Sequence, residues 1–221
     1  MNIGILGTGM VGKTLAAKLS SLGHDVMLGT RDPAATMARV SDGFPSWHGQ
    51  HPGVKLGTFA DAARHGEVVM NALSGQATLE ALGAAGEDHL SGKILIDISN
   101  PLDFSRGMPP SLFVSNTDSL GEQIQRAFPR TRVVKTLNTV NANLMVAPSQ
   151  LGDGEHTLFV CGDDATAKAV VTGHLKDWFG WKDVIDLGDI TTARGTEMYL
   201  PLWVRLWGTL KTPVFSVRVV R

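Results

Sequence analysis

The sequence predicts an α/β chain built on a doubly wound parallel sheet, and three observations carry that reading. Apolar runs of strand length alternate with segments of helical periodicity from residue 2 to residue 137. The first run, Asn2-Ile3-Gly4-Ile5-Leu6, breaks into Gly7-Thr8-Gly9-Met10-Val11-Gly12, a glycine pattern set between a strand and a helix. A second run, Asp25-Val26-Met27-Leu28-Gly29, follows at the spacing of a strand–helix–strand unit.

In that first unit Leu15, Ala16, Leu19 and Leu22 recur at helical spacing, so a helix starts at about Val11. Gly7 then suits the tight turn, Gly9 the close approach of a pyrophosphate and Gly12 close helix–strand packing. The helix N-terminus adds unpaired N–H groups. This predicts a Rossmann-type dinucleotide site over Gly7, Thr8, Gly9, Met10, Val11 and Gly12. The same letters from Gly7 to Thr14 also fit the P-loop of a nucleotide triphosphatase, with Lys13 and Thr14 on phosphate and magnesium. Asp97, ending Ile94-Leu95-Ile96, would then hold the metal. The third-position glycine and the second strand favour the dinucleotide. That second strand ends at Thr30 and Arg31, with no acid to accept a ribose hydroxyl pair. A hydroxyl and a planar cation suit a 2′-phosphate, so NADP(H) is the expected cofactor. Asp32 before Pro33 reads as a helix cap.

Further along, residues 41–52, with Trp47, His48 and His51, read as a loop. Strands are expected over 54–56, 68–73, 94–98 and 132–137, with Thr58 capping a helix over 60–63 and another helix running to about 84. Ligands of such sheets lie beyond the carboxyl ends of the strands. The rule nominates Leu73, Ser74 and Gln76, then Ser99, Asn100 and Pro101, then Asn138, Thr139 and Val140. Residues 103–115 read as a lid. Beyond residue 150 come strands over 157–160 and 184–186 and helices over 164–179 and 192–210. The expected division is a dinucleotide-binding domain over 1–150 and a small C-terminal α/β extension over 151–221, serving capping or oligomerisation. Leu200, Trp203, Trp207 and Leu210 share a helical face and read as core or subunit interface.

A formal net charge of −1 gives no reason to expect nucleic acid or an anionic membrane as partner. The lone Cys161 excludes an internal disulfide and fits a reducing compartment. A cytoplasmic protein with small-molecule partners, forming a homo-oligomer such as a dimer, is expected. No Ser/His/Asp, Cys/His or metal-ligand pattern stands out. The polar residues at the strand ends are hydroxyls and amides, which orient groups without titrating near neutral pH. That suits hydride transfer, with Ser99, Asn100 and Asn138 as the candidate catalytic set. Lys135, inside an apolar strand beside the site, reads equally as a buried charge or an exposed edge residue.

These residues resemble a known family. Residues 2–12 and Leu22-Gly23-His24-Asp25-Val26-Met27-Leu28-Gly29-Thr30-Arg31 are similar to the NADPH-dependent reductases of the deazaflavin coenzyme F420. So are Ile96-Asp97-Ile98-Ser99-Asn100-Pro101-Leu102, Val133-Val134-Lys135-Thr136-Leu137-Asn138-Thr139, Val160-Cys161-Gly162-Asp163-Asp164 and Leu200-Pro201-Leu202. The cytoplasmic domains of membrane ferric reductases look similar too, especially over 133–139. The resemblance implies NADP(H) on the glycine loop, Thr30, Arg31 and residues 73–76, with a deazaflavin ring meeting the nicotinamide near Ser99, Asn100, Pro101, Asn138, Thr139 and Val140. A flavin or ferric acceptor is the alternative it implies, and an NADPH-sensing module without catalysis is the alternative of another class. Archaeal deazaflavin enzymes carry histidine where this chain has Asn138 and proline where it has Asn141.

Overall fold

In the computed structural model, which describes residues 1–221, ten strands form one large sheet and one small hairpin. The strands are β1 (Asn2–Leu6), β2 (Asp25–Thr30), β3 (Val54–Thr58), β4 (Val68–Asn71), β5 (Ile94–Asp97), β6 (Leu102–Asp103), β7 (Ser111–Leu112), β8 (Arg132–Thr136), β9 (Thr157–Cys161) and β10 (Asp183–Asp186). The large sheet has the order β10-β9-β8-β5-β4-β1-β2-β3, and from β3 to β8 every pairing is parallel. Reversal of order between β1 and β4 makes the doubly wound sheet that the sequence predicts.

At the other edge the sheet departs from the expected all-parallel pattern. β9 runs antiparallel to β8, with Lys135 opposite Cys161, and β10 runs parallel to β9. The connection after β8, with the five-residue helix Ala142–Val146, brings the chain back into the sheet from the end it left. Residues 151–221 thus contribute two strands to the same sheet.

Eleven helices flank the strands: α1 (Met10–Ser21), α2 (Pro33–Met37), α3 (Phe44–Gln50), α4 (Phe59–His65), α5 (Gly75–Ala85), α6 (Glu87–Leu90), α7 (Leu120–Ala127), α8 (Ala142–Val146), α9 (Ala165–His174), α10 (Ala193–Met198) and α11 (Leu200–Leu210). Side chains alternate across the sheet. Ile3, Ile5, Met70, Ile96 and Val134 pack with Leu15 of α1 and Val171 of α9, while Leu6, Val69, Leu95 and Val133 pack with Ala62 of α4 and Ile124 of α7. Capping follows the sequence: Asp32 accepts from the Ala35 N–H, and Thr58 and Asp61 form a reciprocal capping box at α4.

The loop expected over 41–52 contains α3 instead. Phe44 is fully buried, and the i,i+4 pairs Phe44–His48 and Trp47–His51 stack at 5.9 and 4.5 Å. Burial of one such ring contributes about 1.5–3 kcal/mol, which outweighs the poor helix propensity of Gly43, Pro45 and Gly49. The helix expected over 192–210 is divided at Tyr199, because Pro201 has no N–H to give residue 197. No helix is long and apolar enough to cross a membrane.

An acid-sensitive pair secures α7. Arg126 donates to both oxygens of Asp118, at 3.0 and 2.8 Å, and holds that carboxyl down to about 2 from 3.8 against the upward push of burial. A depressed folded value means that the contribution is complete above 3.8 and is lost as pH falls through about 2. We expect Asp118→Asn to remove about 1 kcal/mol of stability at neutral pH. Its melting temperature should then fall less steeply than wild type between pH 4 and 2, and parallel curves would refute the role.

Candidate active site

The glycine loop is shaped by two of its three glycines. Gly7 has φ +116°, open to glycine at little cost, and a Cβ at Gly12 would lie 2.0 Å from the Gly7 carbonyl oxygen. Gly9 differs. Its φ of −76° and ψ of −170° suit any residue, and a Cβ there would meet no protein atom within 4 Å. Glycine at position 9 is therefore not a demand of the fold. Gly9 is also the N-cap of the twelve-residue α1, and no side chain caps that helix. Free N–H groups beneath an unobstructed glycine fit a dinucleotide pyrophosphate.

The triphosphatase alternative fits less well. Asp97, its metal-holding acid, is fully buried. Its oxygens accept from Lys135 at 2.8 Å, Asn71 at 2.7 Å and the Ser99 hydroxyl at 2.7 Å.

At the end of β2, Arg31 is three-quarters exposed and touches only Glu80, at 3.4 Å. Thr30 is buried, and its hydroxyl is bonded to that of Thr36 at 2.8 Å. The expected pair therefore divides: Arg31 presents its guanidinium, and Thr30 secures the turn. A second guanidinium that sequence reading missed lies close to the glycine loop. Arg39 donates to the Thr8 carbonyl at 3.4 Å and pairs with Asp42 at 2.9 Å. No motif marks Arg39, since only the path of α2 and α3 brings it back to residue 8.

Beyond the carboxyl ends of β1, β4, β5 and β8 lies a cleft of about 480 Å³. Met10, Val11, Leu73, Ser74, Gln76, Ser99, Asn100, Asn138 and Val140 line it, as the strand-end rule anticipates. Pro101 and Thr139 do not. Pro101 is buried with its carbonyl bonded to Phe113, and Thr139 faces a separate small cavity beside Tyr199. Trp203, Trp207 and Leu200 complete the wall with Phe104, which follows β6 in the small hairpin. The stripe expected as core or interface is thus largely cleft wall. Helical spacing could show that these residues share a face, but nothing local could show what the face meets. None of the lining residues is charged.

Two amides bridge the floor of the cleft. Asn100 donates Nδ2 to the Asn138 carbonyl, and Asn138 donates Nδ2 to Asn100 Oδ1, both at 3.0 Å. The loop carrying Asn138 is strained: Leu137, fully buried, holds φ +62°. Ser99 is nearly fully buried, and its hydroxyl donates to Asp97. Asn141 accepts from the Asn143 and Leu144 N–H groups, capping α8, and donates to the Pro213 carbonyl at 2.5 Å.

Under the floor is a buried ionic cluster. Lys135 is 1% exposed and donates to Asp97 at 2.8 Å, Glu197 at 2.8 Å and the Ser99 carbonyl at 2.5 Å. Burial pushes the ammonium pKa down, but the two carboxylates more than offset this and hold it above its ordinary value. Glu197 also accepts the Leu120 and Gly121 N–H groups at 2.8 and 3.0 Å, at the start of α7. Lys135 is thus a buried charge. Cys161 is no nucleophile at neutral pH, since burial raises its thiol to about 11.

A family model described as NADP oxidoreductase, coenzyme F420-dependent, matches residues 2–101. A crystal structure of a provisionally assigned F420-dependent NADP-reductase from Arthrobacter sp. FB24 superposes with a TM-score of 0.98 at 58% identity, covering 100% of each chain. The F420-dependent NADP reductase of Methanothermobacter marburgensis is 28% identical over 93% of this chain and 92% of its own length. Metalloreductase STEAP3 of Rattus norvegicus is 30% identical over 91% of this chain, which spans only 37% of that protein.

Proposed function

The chain belongs to the family of coenzyme F420-dependent NADP oxidoreductases, and from that premise we propose that it passes hydride between NADP(H) and a deazaflavin of the coenzyme F420 type within the cleft. One observation carries the reading: Met10 and Val11, at the uncapped start of α1, line one uncharged cleft together with Trp203, Trp207 and the Asn100–Asn138 bridge. Bound NADPH supplies the hydride there. The N–H groups of α1 bind the pyrophosphate, and Gly9 lets it approach. Arg31 takes the 2′-phosphate, with Arg39 on the near side of the loop. Asn100 and Asn138 fix one another, so the side chains beside the reacting rings hold one arrangement, and Trp203 and Trp207 offer flat apolar surface to the acceptor. Asn138 is an amide that shuttles no proton, so the proton that accompanies the hydride in reducing the deazaflavin is taken from solvent. Residues 151–221 act in this reading as the cap of the acceptor side. The metalloreductase relative favours a second reading, in which a flavin or ferric chelate accepts the electrons.

The test is loss of reduced-nicotinamide absorbance with coenzyme F420, free flavins and ferric chelate offered separately. Turnover fastest with coenzyme F420 supports the first reading, and turnover confined to flavin or iron supports the second. In the same assay Arg31→Ala should weaken NADPH about ten- to a hundredfold, the value of a charge-assisted contact of about 1.5–3 kcal/mol, and leave NADH nearly unchanged. A wild type that prefers NADH would end the assignment of Arg31.

A further inference from the structure

Lys135 spends all three ammonium protons inside the protein, on Asp97 of β5, Glu197 of α10 and the Ser99 carbonyl. Each acceptor leads to a different wall of the cleft. The Ser99 carbonyl belongs to the peptide that continues into Asn100, whose amide bridges to Asn138. Asp97 also accepts from Asn71, whose own Oδ1 accepts the Leu73 N–H at 3.3 Å, so it reaches the loop before α5. Glu197 sits two turns of chain before Trp203, and its carboxylate receives the first N–H groups of α7 as well. Arg194 adds a second clamp between α10 and α7, donating Nε to Glu122 at 2.8 Å.

Apolar residues of similar size at all three positions would hold β8 in the sheet about as well, since replacing a whole buried ion cluster by apolar groups is often neutral, whereas removing Lys135 alone would strand two buried carboxylates. Stability therefore gives no reason for three ionic groups here. Their distribution does, because one ammonium joins the floor, the loop before α5 and the α7–α10 pair, from which the chain runs on into α11 and its tryptophan wall.

We propose that Lys135, with Asp97 and Glu197, is a positioning residue that fixes the distance between the floor of the cleft and its tryptophan wall. The inference rests on the hydride-transfer reading of the cleft only for its kinetic consequence. The geometric part is independent of any acceptor.

The experiment uses the full chain, with Lys135→Met and the shape-conserving Glu197→Gln, and NADPH as probe. Energy transfer from tryptophan to the bound reduced nicotinamide reports the wall-to-floor spacing without turnover. The share owed to the wall is what Trp203→Phe/Trp207→Phe removes from wild type. Both triad variants should bind NADPH within about threefold of wild type and show at least half of that share lost. With whichever acceptor the wild type uses, kcat should fall about tenfold or more, and the primary isotope effect with 4-deuterated NADPH should rise as hydride transfer becomes limiting. A lower melting temperature with unchanged energy transfer would overturn the proposal and leave the cluster a purely structural device. Changed energy transfer with unchanged kcat and isotope effect would overturn it too. If Lys135→Met does not fold, Glu197→Gln decides by the same outcomes. A wild type that turns over no acceptor would defeat the functional reading, while the energy transfer would still decide the geometric claim.

Discussion

Gly9→Val should bind NADPH at least about a hundredfold more weakly than wild type while keeping its fold. The two halves of this result have separate causes. The backbone at Gly9 lies in a region that valine adopts readily, and no protein atom stands within 4 Å of the new Cβ. Replacing an N-cap glycine costs at most about 1 kcal/mol of helix stability. The added bulk therefore lies over the N-terminus of α1, where the proposed pyrophosphate would need contact with the main chain. Gly12→Ala reverses the pattern. Its Cβ would stand 2.0 Å from the Gly7 carbonyl oxygen, a main-chain atom that cannot rotate away. Overpacking of this kind typically costs about 1–3 kcal/mol, and more where backbone must move. Circular dichroism melts beside calorimetric NADPH titrations of both variants separate the two effects. A Gly9→Val protein with wild-type affinity would remove the nucleotide from this loop.

Asn138→Ala should lower kcat about a hundredfold and change NADPH affinity less than about threefold. Asn138 is 4% exposed and exchanges hydrogen bonds with Asn100, so truncation strands Asn100 Oδ1 and leaves that side chain held only by its own bond to the residue-138 carbonyl. In the proposed reading, cofactor affinity would reside mainly in phosphate contacts at the glycine loop and Arg31, which this change does not reach. The loss should therefore fall on the alignment of the rings. Asn138→His, which installs the residue that the family resemblance implies for archaeal enzymes, is the informative companion. Recovery of coenzyme F420 turnover by histidine would place position 138 among the determinants of the acceptor. Equal losses in kcat and in affinity for Asn138→Ala would instead make Asn138 an ordinary binding residue.

What the sequence by itself determined is what short stretches of chain decide. Strand, glycine turn and helix fixed the first unit, because a φ of +116° at Gly7 and close packing at Gly12 admit glycine and little else. Caps at Asp32 and Thr58 were legible for the same reason, each bond spanning three residues. The strand-end rule then brought Ser74, Ser99, Asn100 and Asn138 to one cleft, since in a doubly wound sheet position along the strand implies position in space. Only the tertiary structure decided the rest. The direction of β9 depended on which end of the sheet the chain returned to after α8, and α3 on whether Phe44 found a core. Lys135 meets Glu197 across 62 positions of sequence, and Trp203 lines one cleft with Asn138 across 65; neither pair leaves a local mark. Periodicity records which residues share a face, but the free energy that selects the partner of that face comes from burial against distant chain.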